Sequence, residues 1–149
     1  MKVYLGRPVS GELGPRALEA VQLAHRALID AGADVLCERV ADPEYRTGDD
    51  RPELIAEMMR RELLEADAGC LEASGRSTGV GFEAGWLSGR GRPVLLLYDA
   101  DAEPPSAVAR RPPFEQCVAF GYRDLMEIRP AVVEFCRSIA PPVGLRVKG

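Results

Sequence analysis

Short apolar runs alternate along the chain with longer stretches in which apolar residues recur every three or four positions, the periods that mark strands and amphipathic helices. The first run is Lys2-Val3-Tyr4-Leu5, stopped by Gly6 and Pro8. A turn-rich loop through Gly11 and Gly14 leads to Pro15, which suits the first position of a helix because its missing N–H would be unpaired there anyway. Ala17, Leu18, Val21, Ala24 and Leu28 mark one face of that helix, which the pattern ends near Ala31-Gly32. Asp34-Val35-Leu36-Cys37 reads as a second strand, followed by the longest loop, Glu38 to Asp50, with Pro43 and Thr47-Gly48-Asp49-Asp50 as breakers. Structureless loops of about a dozen residues in compact domains are often lids or binding segments. A second helix is expected from Pro52 to Ala66, its apolar positions being Leu54, Ile55, Met58, Met59, Leu63 and Leu64.

Ala68-Gly69-Cys70-Leu71-Glu72 predicts a short, weak third strand, and a third helix opens around Gly79 and ends at Gly89 to Gly91. Pro93-Val94-Leu95-Leu96-Leu97-Tyr98 is the clearest strand, apolar on both faces as inside a parallel sheet covered by helices. A proline-rich connection, a fifth strand near Cys117-Val118-Ala119-Phe120 and a last helix from Arg123 to Ser138 complete the order. This alternation predicts an α/β fold with an open, five-stranded parallel sheet. Ligands in such sheets sit at the C-terminal strand ends, near the point where strand order reverses. The loops to inspect are Gly6 to Gly14, Glu38 to Asp50, Ala73 to Gly79 and the segment after Tyr98.

The length of 149 residues, with 46% hydrophobic and 28% charged positions, is that of one compact domain. A chain this size needs no disulfide or metal staple for its core. A net charge of −4 with no cationic stripe argues against a nucleic-acid polymer as partner. The longest apolar run, Val94 to Tyr98, is far short of the roughly 20 residues of a membrane span, and no signal-peptide pattern is present, so a cytoplasmic protein is expected. Cys37, Cys70, Cys117 and Cys136 are separated by at least 18 residues, which spaces no metal site, and they are expected to be buried and reduced. The only histidine, His25, lies beside the packed stripe of the first helix, where a structural duty is expected.

The chemistry concentrates in Ser74-Gly75-Arg76-Ser77-Thr78-Gly79-Val80-Gly81-Phe82-Glu83-Ala84-Gly85. Its glycines strip side chains from a helix entrance and bare backbone N–H groups, and Ser77 and Thr78 can cap the helix or donate to an anion, which suits a phosphate. Glu83 follows within about one turn, where the helix dipole favours the ionised form, and Gly79 and Gly81 leave room beside it for a ring. A carboxylate so placed suits attack on an anomeric carbon, as in retaining glycosidases. The plainer reading is a surface glutamate complementing the dipole of a helix that needs glycines for packing.

Tyr4, Val35-Leu36-Cys37-Glu38-Arg39-Val40-Ala41-Asp42, Leu64-Glu65-Ala66-Asp67, Ser77 to Gly85 and Gly91-Arg92-Pro93-Val94-Leu95 together resemble the 2′-deoxynucleoside 5′-phosphate N-hydrolases of the nucleoside 2-deoxyribosyltransferase superfamily. The match runs from about Lys2 to Arg110, most specifically through the Ser-x-Gly-x-Gly-x-Glu-x-Gly segment. The resemblance implies a Rossmann-like or flavodoxin-like three-layer sandwich as a single domain over residues 1–149, with no cofactor and no metal. It also implies a homodimer that cleaves the N-glycosidic bond of a nucleoside 5′-monophosphate. By it Glu83 matches the nucleophile, Tyr4 the tyrosine near the nucleoside and Ser77 a phosphate-binding serine, while Ser106 looks like the serine that reaches the phosphate from the neighbouring subunit.

Two positions depart from the family. Where it reads Gly-Ser-x-Arg-Gly after the first strand, this chain has Arg7-Pro8-Val9-Ser10-Gly11, so Arg7 and Ser10 would meet the phosphate in exchanged places. Where the family has an aspartate on the second helix this chain has Met59, which cannot protonate a leaving base; Glu62, Glu38 and Asp42 are the candidate substitutes. A nucleotide-binding homologue with weakened or lost catalysis is therefore the alternative. Transfer of the sugar to another base is a third reading, without a visible C-terminal carboxylate or amide in Val143 to Gly149.

Overall fold

The computed structural model describes residues 1–9, 13–46, 51–102 and 106–140. Five parallel strands, β1 (Lys2–Gly6), β2 (Asp34–Leu36), β3 (Ala68–Glu72), β4 (Val94–Asp99) and β5 (Cys117–Tyr122), form one sheet in the order β2-β1-β3-β4-β5. The helices are α1 (Pro15–Asp30), α2 (Pro52–Glu65), α3 (Thr78–Gly89), α4 (Ala107–Arg110) and α5 (Ile128–Ile139). The chain winds outward from β1 to β2, then crosses back to β3 and winds the other way. Right-handed crossovers put α1 and α5, which pack together, on one face and the remaining helices on the other. The doubly wound sandwich expected from the alternation is the observed one, and its strand order reverses between β1 and β3.

β3, expected to be short and weak, is the central strand and is buried along its whole length. Its small residues are what the packing needs: a Cβ at Gly69 would stand 2.6 Å from Leu87 Cδ1, so the glycine lets α3 lie close on the sheet. α1 contributes Ala17, Ala20, Val21, Ala24, Ala27 and Leu28, a mostly small face that also allows close approach. α2 behaves differently. Of its predicted apolar positions only Leu63 is buried, and Leu54 and Leu64 are exposed, because one face of α2 rests on β1 and the apolar residues spread beyond that face.

Several boundaries differ from the sequence expectation. β2 stops at Leu36 because Cys37 takes a left-handed conformation (φ 64°, ψ 31°) that turns the chain into a short 3-10 turn, Glu38–Ala41, within the predicted loop. α4 forms inside the proline-rich connection because Ser106 caps it, its Oγ accepting from the Ala109 N–H at 3.2 Å. β5 runs on to Tyr122, and Asp124 and Glu127 form a capping box ahead of α5. The four cysteines are free and buried. His25 Nε2 lies 3.0 Å from Glu38 Oε1, joining α1 to the 3-10 turn. No helix among the described residues is long and apolar enough to cross a membrane.

Candidate active site

The site is built where strand order reverses. β1 carries Tyr4 almost wholly buried, and α3 carries Glu83, 8% exposed, onto the same spot. The Tyr4 hydroxyl donates to Glu83 Oε1 at 2.9 Å, a contact spanning 79 residues of chain. The other oxygen, Oε2, is buried with no hydrogen-bond partner among the described residues. It sits over Gly6, where a Cβ would come within 2.6 Å of it and within 2.7 Å of Leu71 Cδ2.

Burial is the largest influence on Glu83 and pushes its pKa up to about 7. The Tyr4 hydroxyl and the positive charge of Arg39 oppose that rise, and Glu62 adds to it. The helix dipole, expected to keep Glu83 ionised, is outweighed because the carboxyl faces the sheet rather than water. Burial raises the Tyr4 pKa as well, with the Glu83 charge reinforcing it, so Tyr4 stays a hydrogen-bond donor. Burial also pushes the Cys37 thiol up to about 12, which makes it inert.

Beyond Cys37, Arg39 reaches across to α2. Its Nη1 and Nη2 donate to Glu62 Oε1 and Oε2 at 2.6 and 2.7 Å, and its Nε to the Tyr45 hydroxyl at 3.3 Å. A bidentate guanidinium–carboxylate pair is strong and fixed in geometry.

The entrance of α3 is capped by Ser77, whose Oγ accepts from the Val80 N–H at 3.2 Å. Gly81 has open space where its side chain would be, and Gly79 meets only Ser77 Oγ, at 3.7 Å. Ser77, Gly81 and Ser106 line one cleft of ≈ 390 Å³ between α3, α4 and the sheet. Neither Tyr4 nor Glu83 lines it. Glu83 is about 200° around the helix from Gly81 and points the other way.

Comparison with known proteins follows this geometry. A Methanosarcina barkeri protein bearing the provisional name 2′-deoxynucleoside 5′-phosphate N-hydrolase 1 is 34% identical over 141 residues, covering 93% of this chain and 86% of its own. The chain belongs to the 2′-deoxynucleoside 5′-phosphate N-hydrolase family. In the fold alone it is similar to a Clostridium botulinum CMP N-glycosidase, with a TM-score of 0.60, 17% identity and coverage of 89% of this chain and 98% of that one. A 2-deoxyribosyltransferase from Bacillus psychrosaccharolyticus gives a TM-score of 0.59 at 18% identity, covering 87% and 90%. No protein-family profile matches the chain.

The described residues singled out in the sequence fall into two groups, with Arg7 apart from both. Tyr4 and Glu83 meet in the buried site, and Ser77, Gly79, Gly81 and Ser106 gather at the entrance of α3 and along the cleft. Within one protomer Ser77 and Ser106 already share that cleft. Arg7 joins neither group. It is 4% exposed, and each guanidinium nitrogen donates to a backbone carbonyl: Nε to Val40, Nη1 to Pro8, and Nη2 to Asp42 and Tyr45. The cation holds the loop after β2 together, because buried carbonyls need donors and Arg7 supplies them. Ser10 and the tail from Val143 lie outside the described residues.

The candidate substitutes for an acid at Met59 are engaged elsewhere. Glu62 is paired with Arg39, Glu38 with His25, and Asp42 Oδ1 accepts from the Glu44 N–H at 2.8 Å. Met59 itself is partly buried against the core. Among the described residues no group of three His, Cys, Asp or Glu side chains is placed to hold a metal ion. Sequence reasoning missed Arg39 as a site residue and read Gly6 only as a strand stop. The one signal for Arg39 was its place in a long loop at the sheet's C-terminal edge.

Proposed function

We propose that this protein hydrolyses the N-glycosidic bond of a nucleoside 5′-monophosphate, with Glu83 as the nucleophile. The observation that carries this reading is the Glu83 carboxyl, one oxygen held by Tyr4 and the other buried, bare and pressed over Gly6. The names borne by its sequence relatives give the same bond and substrate class.

In its ionised form Glu83 attacks C1′, forming a C1′–O bond as the C1′–N bond breaks and its electron pair leaves with the base. Tyr4, a donor to Oε1, fixes the carboxylate and leaves Oε2 as the attacking atom. Water then attacks C1′ of the glycosyl ester, the C1′–O bond to Glu83 breaks, and the proton that the water gives up ends on the departed base, so that neutral base, sugar 5-phosphate and the Glu83 carboxylate are the products. The 5′-phosphate is held at the entrance of α3 by bared N–H groups and by Ser77. Ser106 contributes to that end, supplied by a second copy in a homodimer with a shared site. Support for the second copy comes from the exposed apolar side chains that line the cleft, Val108 and Phe114. No cofactor takes part in this scheme.

Incubation with a panel of nucleoside 5′-monophosphates, followed by chromatography for free base, tests the proposal. Native protein is expected to release base and Glu83→Ala to be slower by about 10³-fold or more; full activity in the variant overturns the mechanism.

A second reading, a nucleotide-binding homologue with weakened catalysis, is favoured by one observation: Met59 supplies no proton and the nearest acid, Glu62, is tied to Arg39. It predicts that nucleotides raise the melting temperature while no base appears. Gain of base release in Met59→Asp would then show a site intact but lacking its acid.

A further inference from the structure

The C-terminal ends of β3, β4 and β5 carry a second buried carboxyl system, separate from Glu83 and unused in the scheme above. Glu72 closes β3 at 1% exposure. The Ser74 N–H donates to its Oε2 at 3.1 Å, and the Ser74 hydroxyl donates to Oε1. The Tyr122 hydroxyl, reaching from β5 across β4, donates to the same Oε1 at 3.2 Å. Ser74 Oγ in turn accepts from the backbone N–H of Asp99, at the end of β4, at 2.7 Å. One serine thus ties the connection that leads from β3 to Ser77 to the end of β4.

We propose that Glu72 is a positioning residue for the nucleotide phosphate: as a carboxylate it clamps Ser74, and through it the connection bearing Ser77, so that it sets nucleotide affinity without touching the sugar. The inference rests on the phosphate end proposed above. Three donors converge on Glu72; the carboxylate accepts all three as placed, whereas protonation adds an O–H that must turn one of the hydroxyls into an acceptor or displace a donor. The groups facing Glu72 are Ser74, Tyr122 from β5 and Asp99 from β4; Arg16 of α1 stands 3.4 Å from Asp99 on the far side, with Asp101 beside it. Burial and the Asp99 charge raise the Glu72 pKa to about 7 against the pull of its three donors. Nucleotide affinity therefore falls as pH drops through neutrality, independently of the ionisation of Glu83.

The test compares native protein with Glu72→Gln in two measurements between pH 6 and 8.5: steady-state base release from a nucleoside 5′-monophosphate, and amide hydrogen exchange. Glutamine keeps the shape but, like the protonated acid, places a donor where the carboxylate accepts. KM is expected to rise about tenfold, the weight of one charge-assisted hydrogen bond, with kcat within about twofold. The native decrease of KM with rising pH is lost in the variant, and exchange at Ser74 and Asp99 speeds up while β1 stays protected. Ser74→Ala, at a partly exposed position, is expected to show the same KM shift and to carry the test if Glu72→Gln does not fold. Unchanged KM with unchanged exchange, or a loss confined to kcat, overturns the proposal. If native protein neither turns over nor binds any nucleotide, the functional reading fails instead. Exchange at Ser74 and Asp99 then decides the clamp alone, and identical rates in both proteins refute it.

Discussion

Glu83 has two oxygens in unlike surroundings, and that asymmetry makes it a reagent rather than a structural carboxylate. Oε1 is held by Tyr4, whereas Oε2 lies close over Gly6 with no hydrogen-bond partner among the described residues. Because burial holds the group near 7, base release is expected to rise with pH through a limb at about that value as the nucleophile ionises. A pH–rate profile checks this, and a flat profile from pH 5.5 to 8.5 removes Glu83 from the rate equation. Gly6→Ala places a methyl 2.6 Å from Oε2 and 2.7 Å from Leu71, so something must move. The expected cost is about 1–3 kcal/mol of stability by denaturant unfolding, with base release reduced about 10²-fold by misplacement of the carboxyl. The glycine spacing around Glu83 was legible in the sequence. Its ionisation was not, because the dipole of its own helix is a local effect and its desolvation comes from β1 and β3.

At the scale of elements, the loop after β2 is ordered by two arginines with different tasks. Arg7 collects the loop's carbonyls, while Arg39 reaches out of it to Glu62 on α2. The left-handed turn at Cys37 sends the chain in that direction; a non-glycine residue in that region is uncommon and marks a place where tertiary packing overrides local preference. Arg39 lowers the pKa of Glu83 and Glu62 raises it, so the signs for substitution are opposite. Arg39→Met is expected to move the limb of the pH–rate profile to higher pH, and Glu62→Gln to lower pH. Equal positions in all three proteins would show that the pair does not act on Glu83. The loop itself was visible as a polar stretch with breakers. Its partners were not, since a charged residue's choice among many opposite charges depends on which of them are buried beside it.

In the molecule as a whole, Glu72 and Glu83 are buried carboxyls with folded-state pKa values near 7, above the ordinary carboxylate range. Between that range and about 7 the folded protein binds protons that the unfolded chain does not. Stability from these groups is therefore full at the acidic end of the window and is lost as pH rises through 7. Melting temperature is expected to be higher near pH 5.5 than at pH 8, and the difference to shrink in Glu72→Gln and Glu83→Gln; a difference of the same size in both variants would show that other groups carry it. Val108 and Phe114 stand exposed in the lining of the cleft that holds Ser77 and Ser106. If a second copy covers them, native protein sediments as a dimer. Val108→Asp is then expected to sediment as a monomer and to lose nucleotide affinity, whereas a monomeric native protein with full activity would remove the second copy from the site.

The sequence by itself determined the alternation of strands and helices, the parallel sheet, the glycine-lined entrance of α3 and the candidacy of Glu83. These follow from periodicity, turn chemistry and short-range spacing, which are properties of neighbouring residues. Only the tertiary structure decided the strand order, the burial of a central strand that looked weak, and the meeting of Tyr4 with Glu83 from opposite ends of the sheet's crossover. It also decided that Arg7 serves a loop, that Arg39 takes Glu62, and that Glu72 gathers three donors. The physical reason is common to all of them: the charge state and partner of a polar group depend on which groups lose water together, and that is set when distant segments pack.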